Sequence, residues 1–222
     1  KNNHWSGEWF YHRSFSPLKQ KQGGSMAHYL GYNVRKFSIN TSYFRVEDNF
    51  DAEVGFVPRK GIDNGGLRFT YKIYPSSPFW SKYINQLQLL MNGNLTTSNT
   101  LERLEHSLFI GQEWFFQNQS RFYFGVNNRY TNLTTPFNPG NNTSATPLSI
   151  GDYTFTQWEL AYNDSPSRYF QCSFASYGGE FYNGDIVQAS VALSYRVQPL
   201  GKFSVQSSFT KIHLPSPYAQ TS

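Results

Sequence analysis

The chain has 222 residues, and 19 Lys and Arg against 14 Asp and Glu give a formal charge of +5 and a pI near 9.2. Phe, Tyr and Trp supply 18% of the residues out of an apolar 38%, yet mean hydropathy is -0.56 and no run of about 18 apolar residues occurs, which excludes a transmembrane helix. A transmembrane barrel is not excluded, because its alternating strands average out as hydrophilic; a nucleic-acid partner is disfavoured, because the positive charge is spread out with no run of five like charges.

From the N-terminus, alternation predicts strands over 4–15, 25–33 and 36–47. The third has Phe37, Ile39, Thr41 and Tyr43 on one parity and Lys36, Ser38, Asn40 and Ser42 on the other. Strands follow over 66–75, where Leu67, Phe69, Tyr71 and Ile73 oppose Arg68, Thr70 and Lys72, and then over 82–96 and 101–117. The segment 120–132 sets Phe122, Phe124 and Val126 against Arg121, Tyr123, Asn127 and Arg129. Strands over 152–163 and 167–180 precede 185–198, where Val187, Ala189, Val191, Leu193, Tyr195 and Val197 oppose Gln188, Ser190, Ala192, Ser194 and Arg196; the eleventh covers 202–214. Helix signals are nearly absent.

Alternate side chains of a strand fall on opposite faces, so each of these segments has one apolar and one polar face. In the four segments quoted every Lys and Arg lies on the polar parity, and a cation facing lipid at the bilayer midplane costs about 2–4 kcal/mol. Lys211, on the parity of Phe203 and Phe209, fits a position near an interface; nothing in the pattern explains Gln112 on the parity of Leu108, Ile110 and Trp114. Most of the predicted strands reach the roughly 9–11 residues that cross a bilayer, against about 5–6 for strands of soluble proteins.

The connections alternate as well. Residues 16–24, 48–65 and 133–151 are long, and 181–184 follows a strand end with Tyr177, Gly178 and Gly179. Asn33-Val34-Arg35, Asn118-Gln119, Asp164-Ser165-Pro166 and Pro199-Leu200-Gly201 read as tight turns. Aromatic groups sit near strand ends: Trp9, Phe10 and Tyr11; Tyr43 and Phe44; Phe79, Trp80 and Tyr83; Trp114, Phe115 and Phe116; Tyr177, Phe181 and Tyr182. Long loops at one end, short turns at the other and aromatic girdles are the plan of an outer-membrane barrel. Sandwich-core packing and sugar-stacking platforms are the other accounts of the same rings.

The segment Glu53-Val54-Gly55-Phe56-Val57-Pro58-Arg59-Lys60-Gly61, after Phe44-Arg45-Val46-Glu47-Asp48-Asn49-Phe50-Asp51-Ala52, resembles the F-N-P-E-V-G-F-V-P-R signature of a Bacteroidota family of unknown function. Members of that family join a carbohydrate-binding module of the family-nine type to a C-terminal outer-membrane β-barrel and are often labelled membrane-associated hydrolases. Lys211-Ile212-His213-Leu214-Pro215-Ser216 is similar to a late-barrel segment of the same family. Asp51-Ala52 stands where the signature has Asn-Pro.

The resemblance implies a bacterial outer-membrane location, a lipid bilayer as partner, and envelope subunits and a glycan as further partners. It covers most of the chain, but the carbohydrate-binding module is not in it, and the family's barrel continues beyond the position of Ser222. The expectation is therefore one barrel domain or barrel segment over residues 1–222, part of a larger barrel. Eleven strands lead to the same expectation, since bacterial single-chain barrels have even strand numbers and leave no open edge in lipid.

No catalytic motif is present: no G-x-S-x-G, H-E-x-x-H, G-x-x-x-x-G-K-[ST] or G-x-G-x-x-G. The single Cys172 excludes an internal disulfide and a cysteine-based zinc site, and His4, His12, His28, His106 and His213 are scattered at no ligand spacing, so neither metal nor cofactor is expected. Glu105 and Glu113 share a parity eight residues apart, about 26 Å along a strand and too far to act together on a glycosidic bond, and Glu159 lies on another strand. Basic and aromatic residues interleave over Arg121-Phe122-Tyr123-Phe124-Gly125, but Phe122 and Phe124 face away from Arg121 and Arg129, which opposes a nucleic-acid platform.

The candidate binding residues are those of the motif loop: Gly55, Phe56, Pro58, Arg59 and Lys60. The loop is too apolar for a freely solvated tip. It either folds back as a plug or onto a partner, with Arg59 and Lys60 meeting acids or an anionic ligand, or is simply anchored by its own apolar residues. The expected fold is all-β, an antiparallel up-and-down transmembrane barrel. The expected function is a non-enzymatic pore, anchor or scaffold subunit of the outer membrane; the alternative is a soluble all-β carbohydrate-binding domain.

Overall fold

The computed structural model of the protein describes residues 3–16, 21–51, 57, 59–139 and 146–218. Eleven strands run in one sheet whose spatial order is the chain order: β1 (Trp5–Ser16), β2 (Lys21–Asn33), β3 (Phe37–Val46), β4 (Ile62–Ile73), β5 (Ile84–Ser98), β6 (Arg103–Phe116), β7 (Arg121–Leu133), β8 (Gly151–Asn163), β9 (Phe170–Phe181), β10 (Gly184–Val197) and β11 (Gly201–His213). The architecture is all-β, antiparallel and up-and-down. One short helix, α1 (Pro78–Ser81), interrupts the connection between β4 and β5.

β2 begins at Lys21 rather than 25, and β4 at Ile62 rather than 66. Both early starts are written in residues without apolar period. Gly23 and Gly24 pair with Ser14 and Arg13, and the Gly24 amide donates to Glu47 Oε2 at 2.8 Å. In β4, Asn64 Nδ2 donates to Thr96 Oγ1 and Asn94 Oδ1 at 2.8 and 2.9 Å. The loop sorting is also less strict than expected. Residues 47–61 and 134–150 are long, but so is 74–83, which follows an even-numbered strand and carries α1; β9 and β10 meet in a tight hairpin with Tyr182 at φ 54°.

The chain forms two compact units, Lys1–Thr70 with Met91–Leu108, and Tyr71–Leu90 with Phe109–Ser222. In the first, β2 stands between β1 and β3 in unbroken register, from Trp5↔Tyr32 to Ser16↔Lys21 on one side and from Ser25↔Val46 to Asn33↔Ser38 on the other. Leu30, Leu67, Leu95 and Leu108 are exposed, while Ser38, Asp63, Thr70 and Thr96 are buried. Tyr43 departs from its expected place beside Ile39: it is half-buried, its hydroxyl donates to Asp63 Oδ1, and Phe44 on the opposite parity is exposed. A buried carboxylate needs donors; Tyr43 and, at 3.5 Å, Arg45 both address Asp63 Oδ1, while Oδ2 is buried with no hydrogen-bond partner among the described residues.

In the second unit the inversion of burial is plainest between neighbours in one strand. Val126 is 41% exposed and Asn127 7%; Trp158 is 38% exposed and Gln157 5%. On β10 the parity of Val187, Val191, Leu193 and Tyr195 is exposed and that of Gln188, Ser190, Ala192 and Ser194 half-buried. Among the described residues one apolar cluster is formed by Ile186, Ile212 and Leu214, with Tyr177, Phe181 and Tyr218 packed against them; Phe109, Leu148 and Phe155 are buried as well. Tyr177 and Phe181 therefore face the polar side rather than an outer girdle. Their register explains it, since Tyr177 lies opposite Glu159 and Gln188. β11 has only β10 as neighbour, and every residue of it except Ile212 is exposed.

Candidate functional site

The polar parities of β7, β8, β9 and β10 come together by register into three rows. Tyr123, Ala161, Ala175 and Ser190 form the first; Gly125, Glu159, Tyr177 and Gln188 the second; Asn127, Gln157, Gly179 and Ile186 the third. Ala161 and Ala175 add little bulk, whereas Tyr123, Tyr177 and Phe181 stand tall; the space over Gly125 is taken by the Phe109 ring. Small residues among large ones leave a cleft of about 470 Å³, lined by Tyr123, Arg129, Gln157, Glu159, Tyr177 and Gln188 among others.

Glu159 is the centre of its polar network. Tyr123 Oη donates to Glu159 Oε2 at 3.2 Å, and Arg129 Nη2 lies 4.0 Å from Glu159 Oε1, so the carboxylate is held by one hydroxyl and one cation. The Tyr123 ring stacks on Phe109 at 5.6 Å between centroids with 8° between planes. Gln157 Nε2 donates to the Glu180 carbonyl at 3.0 Å, which fixes its amide. Ser190 Oγ donates to the Ala175 carbonyl at 3.4 Å. The arrangement offers rings and amides to a neutral polar solute, with its one acid already matched by a base.

The motif loop lies elsewhere, in the first unit. Gly55, Phe56 and Pro58 are outside the described residues. Arg59 Nη1 donates to Glu105 Oε1 at 2.8 Å, and Lys60 Nζ lies 3.5 Å from Asp51 Oδ1. Both pairs are about 40–50% exposed, where an ion pair contributes roughly 0.2–1 kcal/mol. The two cations thus meet acids of the protein itself. Gly61 ends the loop at φ +73°, and a Cβ there would meet the Asp48 carboxylate, so this position requires glycine.

Among the described residues no group of three or more His, Cys, Asp and Glu is placed to hold a metal ion. Glu105 is engaged by Arg59, and Glu159 by Tyr123 and Arg129. Of the cleft residues, sequence analysis singled out Glu159, Arg129 and Tyr123, each for another purpose, and missed Gln157, Tyr177 and Gln188 as a group. The available signal was the polar parity of four successive strands, combined with Ala161 and Ala175 as gaps. The chain matches no protein-family model, no curated protein and no solved structure.

Proposed function

We propose that the protein is an outer-membrane β-barrel component of the bacterial envelope, serving as a pore, anchor or scaffold subunit, with its polar parity toward the lumen and its apolar parity in lipid. The inverted burial carries this reading. A water-solvated sheet gains by turning Val126, Trp158, Val187, Val191 and Leu193 inward and Asn127 and Gln157 outward, at about 25 cal/mol per Å² of apolar surface. Here the polar side is the covered one, which is stable when the solvent of the other face is hydrocarbon. The resemblance of the Gly55–Arg59 motif to a barrel-bearing envelope family agrees with it.

In lipid the free edges of β1 and β11 need partner strands, because each unpaired backbone group in hydrocarbon costs several kcal/mol. An odd number of alternating strands leaves the first and last running the same way. Fully antiparallel closure therefore takes an odd number of further strands, from this chain's gene product or from another subunit. The cleft on β7–β10 then lies on the lumen side, where its rings and amides suit a neutral polyhydroxyl solute such as a glycan. The same cleft is what favours the second reading, a soluble carbohydrate-binding sheet.

Fractionation separates the two. Expressed with an export signal in a Gram-negative host, the protein is expected in the outer-membrane fraction and monodisperse only in detergent. Monodisperse protein in a detergent-free aqueous fraction would overturn the membrane reading.

A further inference from the structure

A second cavity of about 370 Å³ lies between α1 and the adjoining ends of β4, β5 and β6. Its walls are Ile73, Leu87, Trp114, Trp80 and the buried Ile84, closed at one side by Tyr74 and Pro75; its only small polar side chains are Ser76 and Ser77. Ile73, Leu87 and Trp114 come from three strands, and each stands on its strand's exposed apolar parity, with Tyr71, with Leu89 and with Leu108 and Ile110 respectively. Apart from Ile84, at the first position of β5 and on the opposite parity, the strand residues of the cavity thus belong to the apolar face.

α1 builds the cavity. Pro78 opens the single turn, where a missing amide hydrogen costs nothing. The Ser81 amide donates to the Ser77 carbonyl at 2.9 Å. Gln117 then ties the turn down twice, its amide donating to the Tyr83 carbonyl and its Nε2 to the Ser81 carbonyl, both at 2.9 Å. Around the mouth, Phe79 meets Trp80 at 5.3 Å and Tyr83 at 5.8 Å, edge to face, and all three rings are exposed. Lys82 Nζ sits 5.6 Å from the Tyr83 ring centre. Apolar depth below, amphipathic rings and a cation at the rim, is the layering of a bilayer from acyl chains to headgroups.

We propose that this cavity holds an acyl chain of a membrane phospholipid, with the Trp80 ring along the chain and Tyr83 and Lys82 at the level of its headgroup. The inference rests on the membrane reading, since the cavity is continuous with the face that reading places in lipid. A docked protein segment would have to seat backbone amides against walls that offer only Ser76 and Ser77 as side-chain partners; a hydrocarbon chain has no such need.

Two single-tryptophan proteins, one keeping Trp80 and one keeping Trp158, with the other tryptophans replaced by phenylalanine so that position 114 still walls the cavity with a ring, test the proposal in phosphatidylcholine vesicles containing increasing fractions of phospholipid brominated on its acyl chains. Trp158 reports on the exposed face far from the cavity. Quenching of both is the expected result, Trp80 in proportion to the brominated fraction, as one fixed chain beside it requires, and Trp158 more steeply, as a ring touching several exchanging lipids. Quenching of Trp158 alone, or identical curves for the two, overturns the site and leaves the membrane reading intact; quenching of neither overturns both. The unsubstituted protein supplies an arm independent of how these variants fold. Delipidated in detergent and titrated with phosphatidylglycerol, it should retain one lipid in native mass spectrometry, and Leu87→Gln should weaken that retention by roughly tenfold, about 1.4 kcal/mol. A wild-type protein that retains none, or that instead shows a dimer lost in Leu87→Gln, refutes the acyl-chain assignment.

Discussion

Replacing Val191 and Ser190 in turn by arginine separates the two faces at one point of the sheet. β10 spans 14 residues, and at about 3.3 Å per residue it is roughly 46 Å long. Tilted by about 40°, it covers some 35 Å of depth, more than the apolar band of a barrel, about 25 Å. Val191, opposite Phe174 on β9 and Ser207 on β11, stands at its middle, which the proposed membrane placement puts at the bilayer midplane. Val191→Arg is expected to cost about 2–4 kcal/mol there. Ser190→Arg loses the hydroxyl's bond to the Ala175 carbonyl, about 0.5–1.5 kcal/mol, and enters a row whose neighbours Ala175 and Ala161 leave room. Urea-dependent folding into phospholipid vesicles, followed by tryptophan fluorescence and by the heat-dependent gel shift of folded barrels, measures both. In water the order reverses, because Val191 becomes an ordinary exposed site worth less than about 0.5 kcal/mol while Ser190 remains half-buried. Val191→Arg within that margin, with Ser190→Arg the more damaging, would refute the assignment of faces.

Two further substitutions test the local packing. Gly179 has φ +129°, and a Cβ there would lie 2.5 Å from the Thr156 carbonyl oxygen, whereas at Gly93 it would meet nothing within 4 Å; Gly179→Ala is expected to lower stability by about 1–3 kcal/mol and Gly93→Ala to leave the urea midpoint nearly unchanged. For the motif loop, a double-mutant cycle over Arg59→Ala and Glu105→Ala should return a coupling of about 0.2–1 kcal/mol, falling with added salt; a salt-independent value of about 3 kcal/mol would show the pair to be desolvated by something bound over it.

Strand number and order were legible because a two-residue period is a local property: Val187 to Val197 announces a two-faced strand without reference to any neighbour. What a face is packed against is not local. Tyr43 shares its parity with Ile39, yet it turns to Asp63, a residue on the next strand whose carboxylate demands a donor. Tyr177 and Phe181 look like members of a girdle until register sets them beside Glu159, Gln188 and the cluster of Ile186, Ile212 and Leu214. The start of β2 was hidden for a related reason, since Gly23 and Gly24 carry no side chain to show a period. α1 was hidden because one turn between Ser77 and Lys82 is too short to display a helical repeat.

The cleft shows where this limit falls. Ala161 and Ala175 are unremarkable small residues on two different strands, and each is compatible with either face of a strand. Only the pairing Ala161↔Ala175 sets them side by side in one row, where the volume they do not fill becomes a space walled by Tyr123 and Tyr177. A one-residue slip between β8 and β9 would carry Tyr177 out of line with Glu159 and fill the gap with Ser176, whose hydroxyl now donates to the Gln188 carbonyl at 2.8 Å. The site is thus encoded in register rather than in composition. Within these strands the residues that fix register are the tight β9–β10 hairpin at Tyr182 and the Gly179 position that admits no Cβ, neither of which contributes a functional group to the cleft.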